Sequence, residues 1–285
     1  MRLANLDHRA TLVTDDGLID VERASEGRFS QSTDVVVAQL EELRTWLRES
    51  SPPVTYSTTA QELLRDRRLG PVVTTPSQIF AIGLNYRTHA REMNMPLPSK
   101  PMVFTKFASS LGGPNSSFPI PSERVDWESE LVVVIGQRGR DVNVDDALSH
   151  VAGYCVGNDL SDRELQLHGV SAQFSLGKSY ENFSPIGPWL TTLDEIATPI
   201  TMAIMCEVNG VVYQNSSTAD MDFSVSELVA YLSSVCELRP GDVIFTGSPH
   251  GVGQSQKPPI YLRAGDVVLA SIEGLGSIRN VGVAS

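Results

Sequence analysis

The sequence predicts an α+β chain rich in β-strand, and three observations carry that expectation. Beyond about residue 75, strand-like runs dominate: Met102 to Thr105, Leu131 to Gly136, Ala152 to Gly157, Thr201 to Val208, Asp242 to Thr246 and Asp266 to Ile272. Helical periodicity is confined to short stretches such as Val144 to Ser149 and Ser224 to Ser234. Strand and helix do not alternate regularly, which disfavours a doubly wound nucleotide-binding fold.

The first seventy or so residues read differently. Thr11-Leu12-Val13-Thr14, Asp15-Asp16-Gly17 and Leu18-Ile19-Asp20-Val21 form a hairpin signal, because Asp-Gly supplies the positive φ of a tight turn. A helix is expected next, capped by Ser32, Thr33 or Asp34, with Val36, Leu40, Leu43 and Leu47 at helical spacing. Ser51-Pro52-Pro53 stops it. A second helical stretch is expected from Thr59 to Leu69, ending at Gly70-Pro71, before the strand-like Ile79-Phe80-Ala81-Ile82. These signals divide the chain into a small N-terminal α/β domain, 1–75, and a β-rich domain, 76–285.

A chain of 285 residues can bury a full core, and its 41% hydrophobic and 20% charged content excludes a disordered or low-complexity protein. With 22 basic against 34 acidic residues the net charge is -12, a field that repels phosphate backbones and acidic membranes. Nucleic acid and membrane are therefore not expected partners. Cys155, Cys206 and Cys236 have no paired spacing, so neither a disulfide framework nor a zinc site is read from them. The N-terminus lacks an apolar signal-peptide core, and a cytoplasmic location is expected.

Gly177-Lys178-Ser179 invites a phosphate-loop reading, but that motif needs glycine where this chain has Ala172. Glu128 and Glu130 open the run Leu131-Val132-Val133-Val134-Ile135 and point the same way on a strand. Alone, such a pair is more often a solvated edge. The attached apolar run suggests instead a central strand buried on both faces, where two carboxylates need a cation. Asp159, after Gly153-Tyr154-Cys155-Val156-Gly157-Asn158, is a plausible third ligand, and three hard oxygens select Mg²⁺ or Mn²⁺.

His89 and Glu92 share a face if their stretch is helical, and a carboxylate beside imidazole supports its proton-accepting form; an isolated surface pair has the same spacing. Arg163, Gln166 and Lys178 follow Asp159 and could hold a carboxylate or developing oxyanion. Pro240-Gly241-Asp242 leads through Thr246-Gly247-Ser248-Pro249-His250-Gly251-Val252-Gly253, a glycine-rich turn whose N–H groups could line an anion site. His250 reads as a loop residue.

In order and spacing, these motifs resemble the fumarylacetoacetate hydrolase family: Gly83-Leu84-Asn85-Tyr86 with His89 and Glu92, Pro101-Met102-Val103-Phe104-Thr105-Lys106, and Asp126-Trp127-Glu128-Ser129-Glu130-Leu131. The likeness continues through Asn158-Asp159, Arg163, Gln166, Gly177-Lys178-Ser179, Gly187-Pro188-Trp189, Val208-Asn209-Gly210 and the Thr246 turn, covering about residues 76–285. Ser248, where many relatives carry Thr, and Phe174, where Trp is frequent, depart from the pattern.

The resemblance implies a mixed β-roll, usually a homodimer, with a divalent metal on Glu128, Glu130 and Asp159. It implies a catalytic set of His89, Glu92 and Lys178, and substrate contacts from Tyr86, Lys106, Arg163, Gln166 and Thr246. The expected activity is metal-dependent hydrolysis of a carbon–carbon bond in a small 2,4-dioxo acid, the His–Glu pair activating water. The alternative, an oxaloacetate-type decarboxylase or enol–keto isomerase, uses the same metal site.

Overall fold

The computed structural model describes residues 1–65, 68–196 and 201–285. Two sheets organise these residues. The larger has eleven strands, whose main path runs Leu18–Asp20, Arg9–Val13, Arg2–Leu6, Ser184–Thr191, Val151–Asn158, Ser129–Ile135, Val243–Phe245, Ile79–Gly83 and Met102–Thr105. The smaller orders Val211–Ser217, Ala203–Val208, Val267–Ile272, Gly276–Ala284 and Ser117–Ile120. Both parallel and antiparallel pairings occur in each sheet, and helices are few and short, so the fold is the expected β-rich α+β.

Ser129–Ile135 is the central strand that its unbroken apolar run predicts, because each of its faces meets a core. Val132 and Val134 pack on one side with Leu3, Leu43, Trp46 and Ile186. Leu131, Val133 and Ile135 pack on the other with Ile204, Leu228, Ala270 and Ile278. All five are fully buried. At about 1.5–3 kcal/mol for each such side chain, this strand is a main source of stability.

The larger sheet runs across the boundary expected near residue 75. Arg2–Leu6 pairs with Ser184–Thr191, at Arg2↔Thr191 and Leu3↔Leu190, so the N-terminal hairpin extends the sheet that holds Ser129–Ile135. Thr11, Leu12 and Val13 face Asp20, Ile19 and Leu18 across the Asp-Gly turn, as the sequence predicts. The expected helix is broken into Thr33–Val36, a 3₁₀ turn Val37–Gln39 and Leu40–Ser50. Ser32 makes no capping hydrogen bond; Asp34 instead accepts from the Thr74 N–H at 2.7 Å and ties this helix to the segment leading into Ile79–Gly83.

Two expectations change. The stretch from Thr59 to Leu69 is helical only over Ala60–Leu63, closed by a Thr59–Glu62 capping box, while Leu69–Gly70 joins Arg2–Leu6 as a strand; Asp66 and Arg67 lie outside the described residues. Pairing gives Leu69 a buried place that further helix would not. Ser184–Thr191 is a strand that sequence reading passes over, because Pro185 and Pro188 remove two amide donors. The three cysteines are free, and no described helix is long and apolar enough to cross a membrane.

Candidate active site

Strand register builds the site. Ser129 pairs with Asn158 and Glu130 with Gly157, so the antiparallel ladder sets Glu128 opposite Asp159 one step further on. Two bonds lock that end: the Glu128 N–H donates to Asn158 Oδ1 at 2.9 Å, and the Asp159 N–H donates to the Glu128 carbonyl at 2.8 Å. Oxygens of Glu128, Glu130 and Asp159 lie within 4.8 Å of one another. Glu130 and Asp159 are buried, and Glu128 is 9% exposed.

The surrounding charges explain how such a cluster is tolerated. Arg163 donates to Asp126 Oδ2 at 2.9 Å, to Glu128 Oε1 at 2.5 Å and to Gln166 Oε1 at 2.9 Å. Lys178 Nζ bridges Glu128 at 3.0 Å and Asp159 at 2.5 Å, and Lys106 Nζ bonds Asp159 and the Phe183 carbonyl. Burial would raise the Glu128 carboxyl, but the Lys178 and Arg163 charges outweigh it and hold Glu128 well below the usual range. Burial and then the Asp159 and Glu128 charges push Glu130 well above it, although the Gly247 N–H donates to Glu130 Oε2 at 2.7 Å.

Among the described residues, four buried carboxyl groups thus share three cations, and the upward push on Glu130 is the mark of the repulsion left among them. A divalent cation fits this place on donor chemistry: three converging hard oxygens, no softer ligand, and repulsion that a dication relieves. Glu128, Glu130 and Asp159 are the residues that could hold it.

The His89–Glu92 pair forms as expected on the helix Arg87–Glu92, with Nδ1 to Oε2 at 3.0 Å. The other Glu92 oxygen accepts from the Gly251 N–H at 3.0 Å and from Ser255 Oγ at 2.6 Å. Burial raises the Glu92 carboxyl, yet these hydrogen bonds together keep it below the ordinary value, an anion able to orient the ring. The glycine-rich turn is an anion site for the protein's own carboxylates: Gly247 serves Glu130, Gly251 serves Glu92, and the N–H groups of Gly253 and Gln254 serve Asp126 at 2.6 and 3.1 Å. His250 is a loop residue within 3.2 Å of Thr88 Oγ1.

A cavity of about 220 Å³ joins these groups. His89, Glu128, Arg163, Gln166 and Lys178 line it, together with Leu84, Met93, Met95, Met102, Phe104, Leu167, Phe174, Ser248 and Gln254. Three expected substrate contacts lie elsewhere. Lys106 sits behind the carboxylates on Asp159; Thr246 donates its hydroxyl to the Leu131 carbonyl at 2.8 Å; and Tyr86 is wholly buried, its hydroxyl without a hydrogen-bond partner. Asp159, the Leu131 carbonyl and core packing respectively take the side chains that the motif alone would offer to substrate. Sequence reading passes over Asp126, which orients Arg163, and Ser255, which holds Glu92. Asp126 lies inside a motif it quotes, whereas Ser255 carries no local signal.

Residues 78–283 match the fumarylacetoacetate (FAA) hydrolase C-terminal family model. The chain belongs to the fumarylacetoacetate hydrolase family. Among the relatives of this family enzyme, the mitochondrial oxaloacetate tautomerase fahd2 of Xenopus laevis is 46% identical over 210 residues, covering 73% of this chain and 66% of that protein. The chain therefore spans slightly less than two-thirds of that relative's length. A crystal structure from Mycobacterium smegmatis given the designation HpcE superposes with TM-score 0.93 at 44% identity, over 100% of both chains. Maleylpyruvate hydrolase from Sphingobium sp. SYK-6, solved with manganese(II) and pyruvate, superposes with TM-score 0.81 at 28% identity, again over 100% of both.

Proposed function

We propose that this family enzyme interconverts the enol and keto forms of a small 2-oxo acid of the oxaloacetate type, using a divalent metal held by Glu128, Glu130 and Asp159. The observation that carries the reading is that His89, paired with Glu92, and Glu128, which clusters with Glu130 and Asp159, line one cavity. A base and an electron sink are the two parts that proton transfer beside a ketone requires. A bound Mg²⁺ or Mn²⁺ would supply Lewis acidity to the ketone and carboxylate oxygens; the manganese and pyruvate of the Sphingobium enzyme support that assignment.

The chain's own residues do the rest. Tautomerisation moves one proton between the enol oxygen and C3 while the double bond shifts between C2–C3 and C2–O, with no other σ-bond made or broken. His89 carries that proton, and Glu92 stabilises the imidazolium while it does so. Arg163 and Lys178 fix the carboxylate cluster at the cavity they line. The 46% identity to an oxaloacetate tautomerase supports this reading over the alternatives.

Hydrolysis of a carbon–carbon bond in a 2,4-dioxo acid is the second reading. It is favoured by the same His89–Glu92 pair, which suits water activation, and by the maleylpyruvate hydrolase likeness. The deciding experiment follows ultraviolet loss of enol-oxaloacetate and, separately, pyruvate release from acylpyruvates, each with and without chelator. Chelator-sensitive tautomerisation above the spontaneous rate, without acylpyruvate cleavage, is expected. Cleavage without tautomerisation would transfer the assignment to the hydrolase reading. We further propose a homodimer, as the family resemblance implies, in a reducing, cytoplasmic setting that the three free cysteines suit.

A further inference from the structure

We propose that Gln254 sets the specificity of this site by donating from its amide to the second carboxylate of an oxaloacetate-type substrate, the end remote from the 2-oxo acid group. The assignment rests on the proposed function above and names the residue that reads the far end of that substrate. Gln254 lines the cavity, and its buried Oε1 has no hydrogen-bond partner. A half-turn about the last bond of the side chain exchanges Oε1 and Nε2 at nearly the same shape, so the same place can present an N–H donor.

The backbone holds Gln254 in place. It lies in the 3₁₀ turn Gly253–Ser255. The Gly253 N–H donates to Asp126 Oδ1 at 2.6 Å, and the Gln254 N–H donates to Asp126 Oδ2 at 3.1 Å. That same Oδ2 accepts from Arg163 Nε at 2.9 Å, so one buried carboxylate places both Gln254 and the guanidinium that lines the cavity. A Cβ at Gly253 would stand 2.6 Å from Asp126 Oδ1 and 2.2 Å from the Ile260 carbonyl, so glycine is what lets the turn close on Asp126. On the other side of Gln254, Ser255 Oγ donates to Glu92 Oε1 at 2.6 Å. Gln254 is thus carried between two anchors, one shared with Arg163 and the other on the partner of His89.

Other polar groups of the cavity are committed within the protein. Arg163 bonds Asp126, Glu128 and Gln166, and Lys178 bonds Glu128 and Asp159. Ser248 Oγ accepts from Gln214 Nε2 at 2.8 Å. Met93, Met95, Met102 and Phe174 also line the cavity and have no hydrogen-bond donor for an anion. An amide at Gln254 donates to a carboxylate without bringing a cation that would compete for the Glu92 anion beside it. A site built to hydrogen-bond a substrate group discriminates against the analogue lacking that group, because its own polar atom is then left unpaired.

The test measures binding of (S)-malate and (S)-2-hydroxybutanoate to the Mg²⁺-loaded enzyme by calorimetry; both are stable and as long as oxaloacetate, but one ends in a carboxylate and the other in a methyl group. The wild type should bind malate at least about tenfold more tightly. Gln254→Met, of similar length without the amide, should lower malate affinity about tenfold and change that of 2-hydroxybutanoate by no more than about twofold. Gln254→Glu, which sets an anion against the carboxylate, should lower malate affinity further. A malate preference that persists in Gln254→Met, no preference in the wild type, or equal weakening of both acids would overturn the inference. So would loss of Mg²⁺ binding or of cooperative melting in both variants, which would make Gln254 a structural residue. Tautomerisation of oxaloacetate by the wild type reads the proposed function separately. A Gln254-dependent malate preference without that turnover would remove the tautomerase reading and leave the contact between Gln254 and the carboxylate standing.

Discussion

At the residue scale the site depends on how carboxylates are shared among cations. Glu128 and Asp159 contact Lys178 together, so removing either carboxylate takes away a proposed metal ligand and leaves a buried lysine short of a partner. Glu128→Ala, Glu130→Ala and Asp159→Ala should each abolish Mg²⁺ binding in calorimetry and activity in the tautomerase assay. Full activity after exhaustive chelation would refute the metal assignment. His89→Gln removes the base but leaves the carboxylate cluster, so turnover should fall by ~10²–10⁴-fold while 2-oxo acid binding changes little. Glu92→Gln should lose less, since an amide still positions the ring without stabilising its charge. Equal loss of binding and turnover in His89→Gln would assign the residue to substrate binding.

At the element scale the turn after Val243–Phe245 joins two otherwise separate parts, because its N–H groups hold Glu130 on the central strand and Glu92 on the helix Arg87–Glu92. Gly251 has φ +98°, and a Cβ there would stand 2.0 Å from the Tyr213 carbonyl. Gly251→Ala should therefore cost ~1–3 kcal/mol in denaturant unfolding and lower turnover by displacing Glu92. Unchanged stability would contradict this account of the turn. In the N-terminal hairpin, burial raises the Asp20 carboxyl, but hydrogen bonds from Arg9 and the Arg23 N–H outweigh it and hold the group below its ordinary value. A depressed folded-state value means stability present above the unfolded value and lost as pH falls through the folded one. Asp20→Asn should accordingly lose stability at neutral pH and show a shallower acid dependence below pH ~4 in thermal melts.

At the scale of the molecule, Met102–Thr105 ends one side of the larger sheet among the described residues, with Val103 38% exposed on it and Phe107, 51% exposed, just beyond. Apolar side chains at an unpaired edge suit association. Sedimentation of the full chain should give a dimer at micromolar concentration; a monomer would count against the proposed assembly. The N-terminal hairpin sits at the opposite end of the same sheet, so the sheet carries stability from residues 1–75 towards the strand that bears Glu130.

The sequence by itself determined the features that depend on short-range pattern. The five-residue apolar run after Glu130 predicts a strand buried on both faces, alternation puts Glu128 and Glu130 on one side, and the three-residue spacing of His89 and Glu92 pairs them on a helix. Only tertiary structure decided which motif residues reach the cavity. Tyr86, Lys106 and Thr246 stand in the same motifs as the cavity-lining groups, but core packing, Asp159 and the Leu131 carbonyl claim them. It also decided that the glycine-rich turn binds the protein's own carboxylates, through a contact spanning 117 positions from Gly247 to Glu130. Local periodicity records which way a side chain points from its own backbone; it does not record which distant strand will lie beside it, because that is set by the burial of whole faces against one another.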